Sequence, residues 1–150
     1  MTEPTPEPIP QPALWLGAGG LVPFYAAIAV LWLVPDQAGV ALGMLLGYAA
    51  VILAFLGAVH WGRALADPAQ QDWPILGWSI TPALLGWFAA SWMEPAPALI
   101  LLIVGFWAAF TVDLRAAAAG RFPFWYVRLR RTLSALVVPA LAAALTAVWR

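Results

Sequence analysis

From Ala38 to Val59 the chain reads AGVALGMLLGYAAVILAFLGAV, with no charged side chain along the whole run. A helix needs roughly 20 apolar residues to cross the ~30 Å hydrocarbon layer of a bilayer. Ala13–Val34, Trp73–Trp92, Ala96–Val112 and Thr132–Trp149 are similarly apolar and free of charge. Backbone inside lipid must satisfy its own polar groups, so each run is predicted to be helical. The expected fold class is all-α, an integral membrane bundle of five transmembrane helices. The links 35–37 and 93–95 are so short that the first two spans, and the third and fourth, must form helical hairpins.

Composition excludes the soluble alternative. Hydrophobic residues make up 64% of the chain and charged residues 9%, where about one quarter charged is usual for a soluble domain. A net charge of zero gives no electrostatic footprint for nucleic acid. The absence of cysteine removes thiolate nucleophiles, disulfides and cysteine-ligated metals. The opening MTEPTPEPIPQP alternates proline with polar and acidic residues. Residues 1–12 are therefore expected to be a disordered, acidic, Pro-rich tail, followed by a five-helix domain over 13–150.

Arginine sets the orientation. With five spans, Arg63, Arg115, Arg121, Arg128, Arg130 and Arg131 fall on the same side as the tail, and Arg150 falls opposite. Basic residues stay on the cytoplasmic side, so the N-terminus is expected there and the C-terminus outside. Trp15, Trp32, Trp61, Trp73, Trp92, Trp125 and Trp149 mark span ends, at the headgroup depth that suits an indole.

Lipid gives no hydrophobic drive for helix association, so small residues that let backbones approach matter more. Gly39, Gly43 and Gly47 recur every fourth residue, with Gly57 on nearly the same face, and are expected to form a packing stripe. Internal packing is the favoured use and a homodimer interface the alternative. Pro23, Pro82 and Pro139 lie near the midplane of their spans and are expected to kink them. Each frees the carbonyl four residues earlier, with Ser79, Thr81 and Ser134 near enough to help satisfy it. The pattern from Leu16-Gly17 to Pro23, Trp32 and Pro35 has a weak echo from Leu76-Gly77 to Pro82, Trp92 and Pro95.

Few polar groups remain. His60, Asp113 and Arg130 end or begin three different spans at the same cytoplasmic edge, and form the candidate polar cluster. An unpaired aspartate in hydrocarbon costs on the order of 3 kcal/mol, so Asp113 needs a partner. Arg130 is the favoured one; Arg115 and His60 are alternatives. His60 is expected to anchor an interhelical contact; it has no second histidine for haem and no companions at metal-ligand spacing. No catalytic residue, metal or cofactor is expected. In RFPFWYVRLRR, the residues Arg121, Trp125, Tyr126, Arg128 and Arg131 are expected to face lipid headgroups or a partner protein.

The segments LGAGGLVPF (16–24) and FLGAVHWG (55–62) carry a resemblance, together with Asp113, PFWY (123–126), Leu129, Arg130 and Leu133. Over residues 14 to about 140 the chain resembles DUF3429, a multi-pass family known as a domain of unknown function, whose animal members are mitochondrial. The resemblance implies a bacterial inner-membrane or mitochondrial setting and supplies no activity, cofactor or substrate. The expected function is a non-enzymatic accessory, assembly or stabilising subunit of a bacterial cytoplasmic-membrane complex. Its partners would be lipids and other membrane subunits or a second copy. The alternative is a small transporter or proton- or solute-conducting module; a membrane enzyme using His60 and Asp113 is least favoured.

Overall fold

The computed structural model describes residues 7–149. The described residues are all-helical in their regular structure: α1 (Gln11–Gly19), α2 (Val22–Leu33), α3 (Ala38–Ala66), α4 (Trp73–Trp92), α5 (Pro95–Ala118) and α6 (Phe124–Val148). The first part of the expected tail and Arg150 lie outside the described residues, while Gln11 and Pro12 already belong to α1. By length and apolar composition, Gln11–Leu33, Pro35–Ala66, Pro95–Ala118 and Phe124–Val148 can each cross a membrane. Helix α4 is 20 residues long and uncharged, but Trp73, Trp78, Trp87, Trp92, Pro74 and Pro82 dilute its apolarity.

Three helices outrun their apolar stretches by about two turns. The α3 helix continues past Val59 to Ala66, α5 past Val112 to Ala118, and α6 begins at Phe124 rather than Thr132. Hydropathy measures only the greasy length. Beyond it, the helices persist with Arg63, Arg115, Arg128 and Arg131 outside and small or aliphatic residues inside, such as Ala64, Ala116 and Leu129. His60, Asp113 and Arg130 are thus within helices, not at their ends.

Helices α3 and α5 touch along the middle of the bundle, with α4 packed on both from one side. On the other side α2 packs on α3 and α6, and α6 packs on α5. Phe24, Leu45, Leu53, Leu99, Leu102, Phe106 and Leu141 fill the centre. The Phe24 ring meets Tyr48 and Phe106 edge-on, at centroid distances of 5.1 and 6.3 Å.

The glycine stripe does not do what its spacing suggested. A Cβ added at Gly39, Gly43 or Gly47 would meet no atom within 4 Å, so these glycines pack no helix of the described chain. The buried face of α3 runs instead through Ala41, Leu45, Ala49, Leu53 and Leu56, roughly 200° round from the stripe. Gly57 does lie at a close approach: its Cβ would sit 2.5 Å from the Ser79 carbonyl oxygen and 3.0 Å from Pro82 Cγ. At Gly86 on α4 a Cβ would come 2.9 Å from the Ala50 carbonyl oxygen, and at Gly105 on α5 2.8 Å from Leu53 Cδ2.

The prolines also act differently from one another. Pro23 does not kink a continuous helix; the first span breaks at Gly20 and Leu21, and Pro23 sits in the first turn of α2, where its missing N–H is harmless. The Tyr48 hydroxyl donates to the Gly20 carbonyl at the break, 2.9 Å away. Pro82 and Pro139 lie inside α4 and α6, so the sequence echo between the two hairpins has no counterpart in helix continuity. The hydroxyls do not serve the freed carbonyls: Ser79 donates to Leu76 O (2.6 Å) and Thr81 to Gly77 O (2.8 Å), while Ser134 Oγ has no partner.

Candidate functional site

The turn between α5 and α6 builds the site. Gly120 adopts φ +72°, the left-handed region that glycine enters without a Cβ penalty. The Arg121 N–H then donates to Ala116 O and the Gly120 N–H to Ala117 O, both 2.9 Å, which is a Schellman closure of α5. Pro123 follows as the N-cap of α6, and the chain returns antiparallel. Asp113 and Arg130 stand at similar distances from this turn, one before it and one after, and so meet at one height. His60 is at a comparable distance from the end of α3, which runs parallel to α5.

The three side chains converge. Asp113, 1% exposed, accepts from Arg130 Nε at Oδ2 (2.7 Å) and contacts His60 Nε2 at Oδ1 (2.9 Å). An ionised carboxylate can only accept, so His60 Nε2 carries the proton in this arrangement. The Tyr126 hydroxyl approaches Oδ2 at 3.4 Å as a weak third donor. His60 and Arg130 are buried as well, at 4% and 5% exposure. The aspartate therefore has a separate donor on each oxygen, and its charge is balanced by a guanidinium that does not deprotonate. Arg115 is exposed on the outer surface of α5 and is not among the Asp113 partners.

The basic-aromatic segment divides between surface and site. Arg128 and Arg131 are exposed. Tyr126 turns inward to Asp113, correcting its expected outward role. The Phe122 ring packs edge-on against His60 at 5.1 Å and tilted against Tyr126 at 4.8 Å. Neither Phe122 nor the inward turn of Tyr126 was anticipated; the signal was their spacing of four, which puts aromatic rings on one side of the α5–α6 turn and helix start. Among the described residues, no group of three or more His, Asp or Glu could hold a metal ion.

A cavity of about 360 Å³ adjoins the cluster, bounded by α1, α2, α3, α5 and α6. Its walls are almost wholly apolar, and Arg130, Ser134 and Tyr126 supply the polar exceptions. Trp125 lines it too, so this indole faces the cavity. No sequence pattern signals the cavity, because it depends on how α1 leans against α6 after the break at Gly20.

Residues 9–146 match the family described as "Protein of unknown function (DUF3429)". The chain is 36% identical over 139 residues to Transmembrane protein 69 of Xenopus tropicalis, covering 91% of this chain and 54% of that protein. It is 32% identical over 124 residues to Transmembrane protein 69 of Mus musculus, covering 81% and 50%. The chain thus spans about half the length of these curated relatives. No solved structure matches it. A match over nearly the whole helical domain, with apolar helices of spanning length and relatives named as transmembrane proteins, places the chain in the DUF3429 family of membrane-spanning proteins.

Proposed function

We propose that this chain is a non-enzymatic accessory, assembly or stabilising subunit, set in a bacterial cytoplasmic (inner) membrane by five spans, with its N-terminus in the cytoplasm. In this reading α4 also crosses, as the third of the five spans, since 20 helical residues reach about 30 Å and none is charged. An odd number of spans puts the arginine-bearing turns on one side, as the positive-inside rule favours.

The observation that carries the reading is the outward glycine face of α3. Gly39, Gly43 and Gly47 leave a shallow groove beside exposed Val40, Met44 and Val51. Glycine in a helix interior is destabilising by roughly 0.5–1 kcal/mol relative to alanine, and small residues are the usual means of helix docking in lipid. A helix of another membrane subunit, or of a second copy, fits that face. The closed pairing around Asp113 supports a stabilising role for the cluster: each carboxylate oxygen is engaged by a donor from another helix.

Mild-detergent extraction followed by cross-linking tests the proposal. A stoichiometric companion or a dimer is expected, and Gly43→Leu should abolish it without lowering the thermal midpoint of the protein. Recovery of a lone monomer from gently solubilised membranes contradicts it. A second reading, a small solute-conducting module with His60, Asp113 and Arg130 at its cytoplasmic edge, draws on the cavity beside Arg130. Reconstituted vesicles without flux, for wild type and His60→Ala alike, end that reading.

A further inference from the structure

Two buried polar atoms do not join the network around Asp113. Among the described residues, Arg130 Nη2 and Ser134 Oγ are the buried side-chain nitrogen and oxygen atoms with no hydrogen-bond partner. Arg130 is 5% exposed and Ser134 7%. They lie four residues apart on α6, so both occupy one face of the helix, and both residues line the same cavity. A guanidinium N–H cannot be removed by deprotonation, and a buried donor left unsatisfied is costly. Both atoms are almost wholly covered as the side chains stand, so an acceptor in the cavity meets them through a turn of the Ser134 side chain and of the guanidinium end.

The surroundings define the chemistry of that acceptor. Arg130 already donates through Nε to Asp113 at 2.7 Å, so the local charge is balanced and a second anion would be repelled by the carboxylate. A neutral carbonyl fits better than a phosphate. The remaining wall is aliphatic and aromatic, including Phe24, Leu56, Phe106 and Val137, which suits a hydrocarbon chain. At about 360 Å³ the cavity is at the small end of the range for ligand sites, roughly 300–1,000 Å³. Leu16 and Phe55 line it while remaining 77% and 65% exposed, so its mouth opens sideways between α1 and α3, towards the bilayer in a membrane setting.

We propose that this cavity binds a neutral membrane amphiphile, whose carbonyl accepts from Arg130 Nη2 and Ser134 Oγ while its chain lies along α2 and α6. The carbonyl could come from an isoprenoid-type quinone or from the ester of an uncharged glyceride; both present the same acceptor on an apolar chain. The inference is independent of the partner-docking face on α3, which lies on other residues and is tested by complex formation.

The test uses the full chain, delipidated in dodecyl maltoside and titrated separately with a decyl-substituted benzoquinone, monoolein and dodecyl phosphate. Intrinsic tryptophan fluorescence and native mass spectrometry read the binding. A saturable one-to-one complex with at least one carbonyl probe is expected, and the tighter of the two identifies the source. Ser134→Val should weaken it about fivefold, the loss of one hydrogen bond, with the thermal midpoint unchanged. Leu16→Trp, at an exposed position that leaves the core untouched, should weaken it as well by narrowing the mouth, and stands in if Ser134→Val does not fold. Absence of a one-to-one complex with either carbonyl probe overturns the proposal, as does equal binding by both variants. Tighter binding of dodecyl phosphate refutes the neutral head group.

Discussion

Replacing Asp113 by leucine should be the most damaging single change at the cluster, and its size can be worked from the contacts. The carboxylate takes a donor on each oxygen, at 2.9 and 2.7 Å, from residues 4% and 5% exposed. Asp113→Leu strands the Arg130 guanidinium, and removing one partner of a buried pair costs about 3–5 kcal/mol. Asp113→Asn should cost less, about 2 kcal/mol, because the amide can still bond both neighbours. Its oxygen would accept from Arg130, and its N–H₂ would donate to a His60 tautomer protonated on Nδ1. The informative variant is the double one, Asp113→Leu with Arg130→Met. It removes both charges at once, and apolar replacements of buried pairs are often neutral. Denaturant titration in mild detergent, followed by tryptophan fluorescence, should show the double variant recovering at least about 2 kcal/mol relative to the sum of the singles. Additive single effects, or a wild-type midpoint for Asp113→Leu, would refute the idea that Asp113 and Arg130 act as one clamp.

Further predictions separate the packing claims. Gly57→Ala should destabilise the protein by about 1–3 kcal/mol, since the new methyl meets α4 backbone at 2.5 Å, whereas Gly47→Ala should leave the monomer neutral or up to about 1 kcal/mol more stable; the same titration reads both. Gly120→Ala should cost about 1 kcal/mol, because alanine does not enter φ +72° freely. At the α3–α4 turn the Gln70 amide, then the Ala69 N–H, hold the partly exposed Asp67 carboxyl below its ordinary value of 3.8, with Arg63 assisting. A depressed value means the turn's carboxylate contributes stability above the unfolded pKa and loses it as pH falls through the folded one. Protection of the Ala69 amide against hydrogen exchange should therefore decline below about pH 4 relative to Asp67→Asn, which should show no such step.

Much of the architecture was legible because lipid imposes a simple rule of length. The apolar runs located every long helix, and the short links at 35–37 and 93–95 fixed two hairpins. Their ends were not legible, because Ala64, Asp113 and Arg130 continue helices on faces that hydropathy averages away. The meeting of His60, Asp113 and Arg130 followed from placing their helices on one side; the simultaneous engagement of Asp113 by His60 depended on the rotation of α3 and the inward Tyr126 on that of α6, which spacing alone leaves open. Gly43 and Gly57 illustrate the same limit. Both look like packing glycines in sequence, yet one faces away from the chain's own helices and the other touches the Ser79 carbonyl. Neighbouring side chains decide between them, and the run Ser79, Pro82, Gly86, Ala89 on α4 was the matching face.

The most direct measurement exploits the cysteine-free sequence. Single substitutions Gln71→Cys and Ala119→Cys report on the α3–α4 and α5–α6 turns, and Asp36→Cys and Glu94→Cys on the opposite links. In intact cells, an impermeant thiol reagent should label positions 36 and 94 and spare 71 and 119 until the membrane is opened. Labelling that puts 71 and 119 on different sides would mean that α4 does not cross, and would contradict the five-span arrangement.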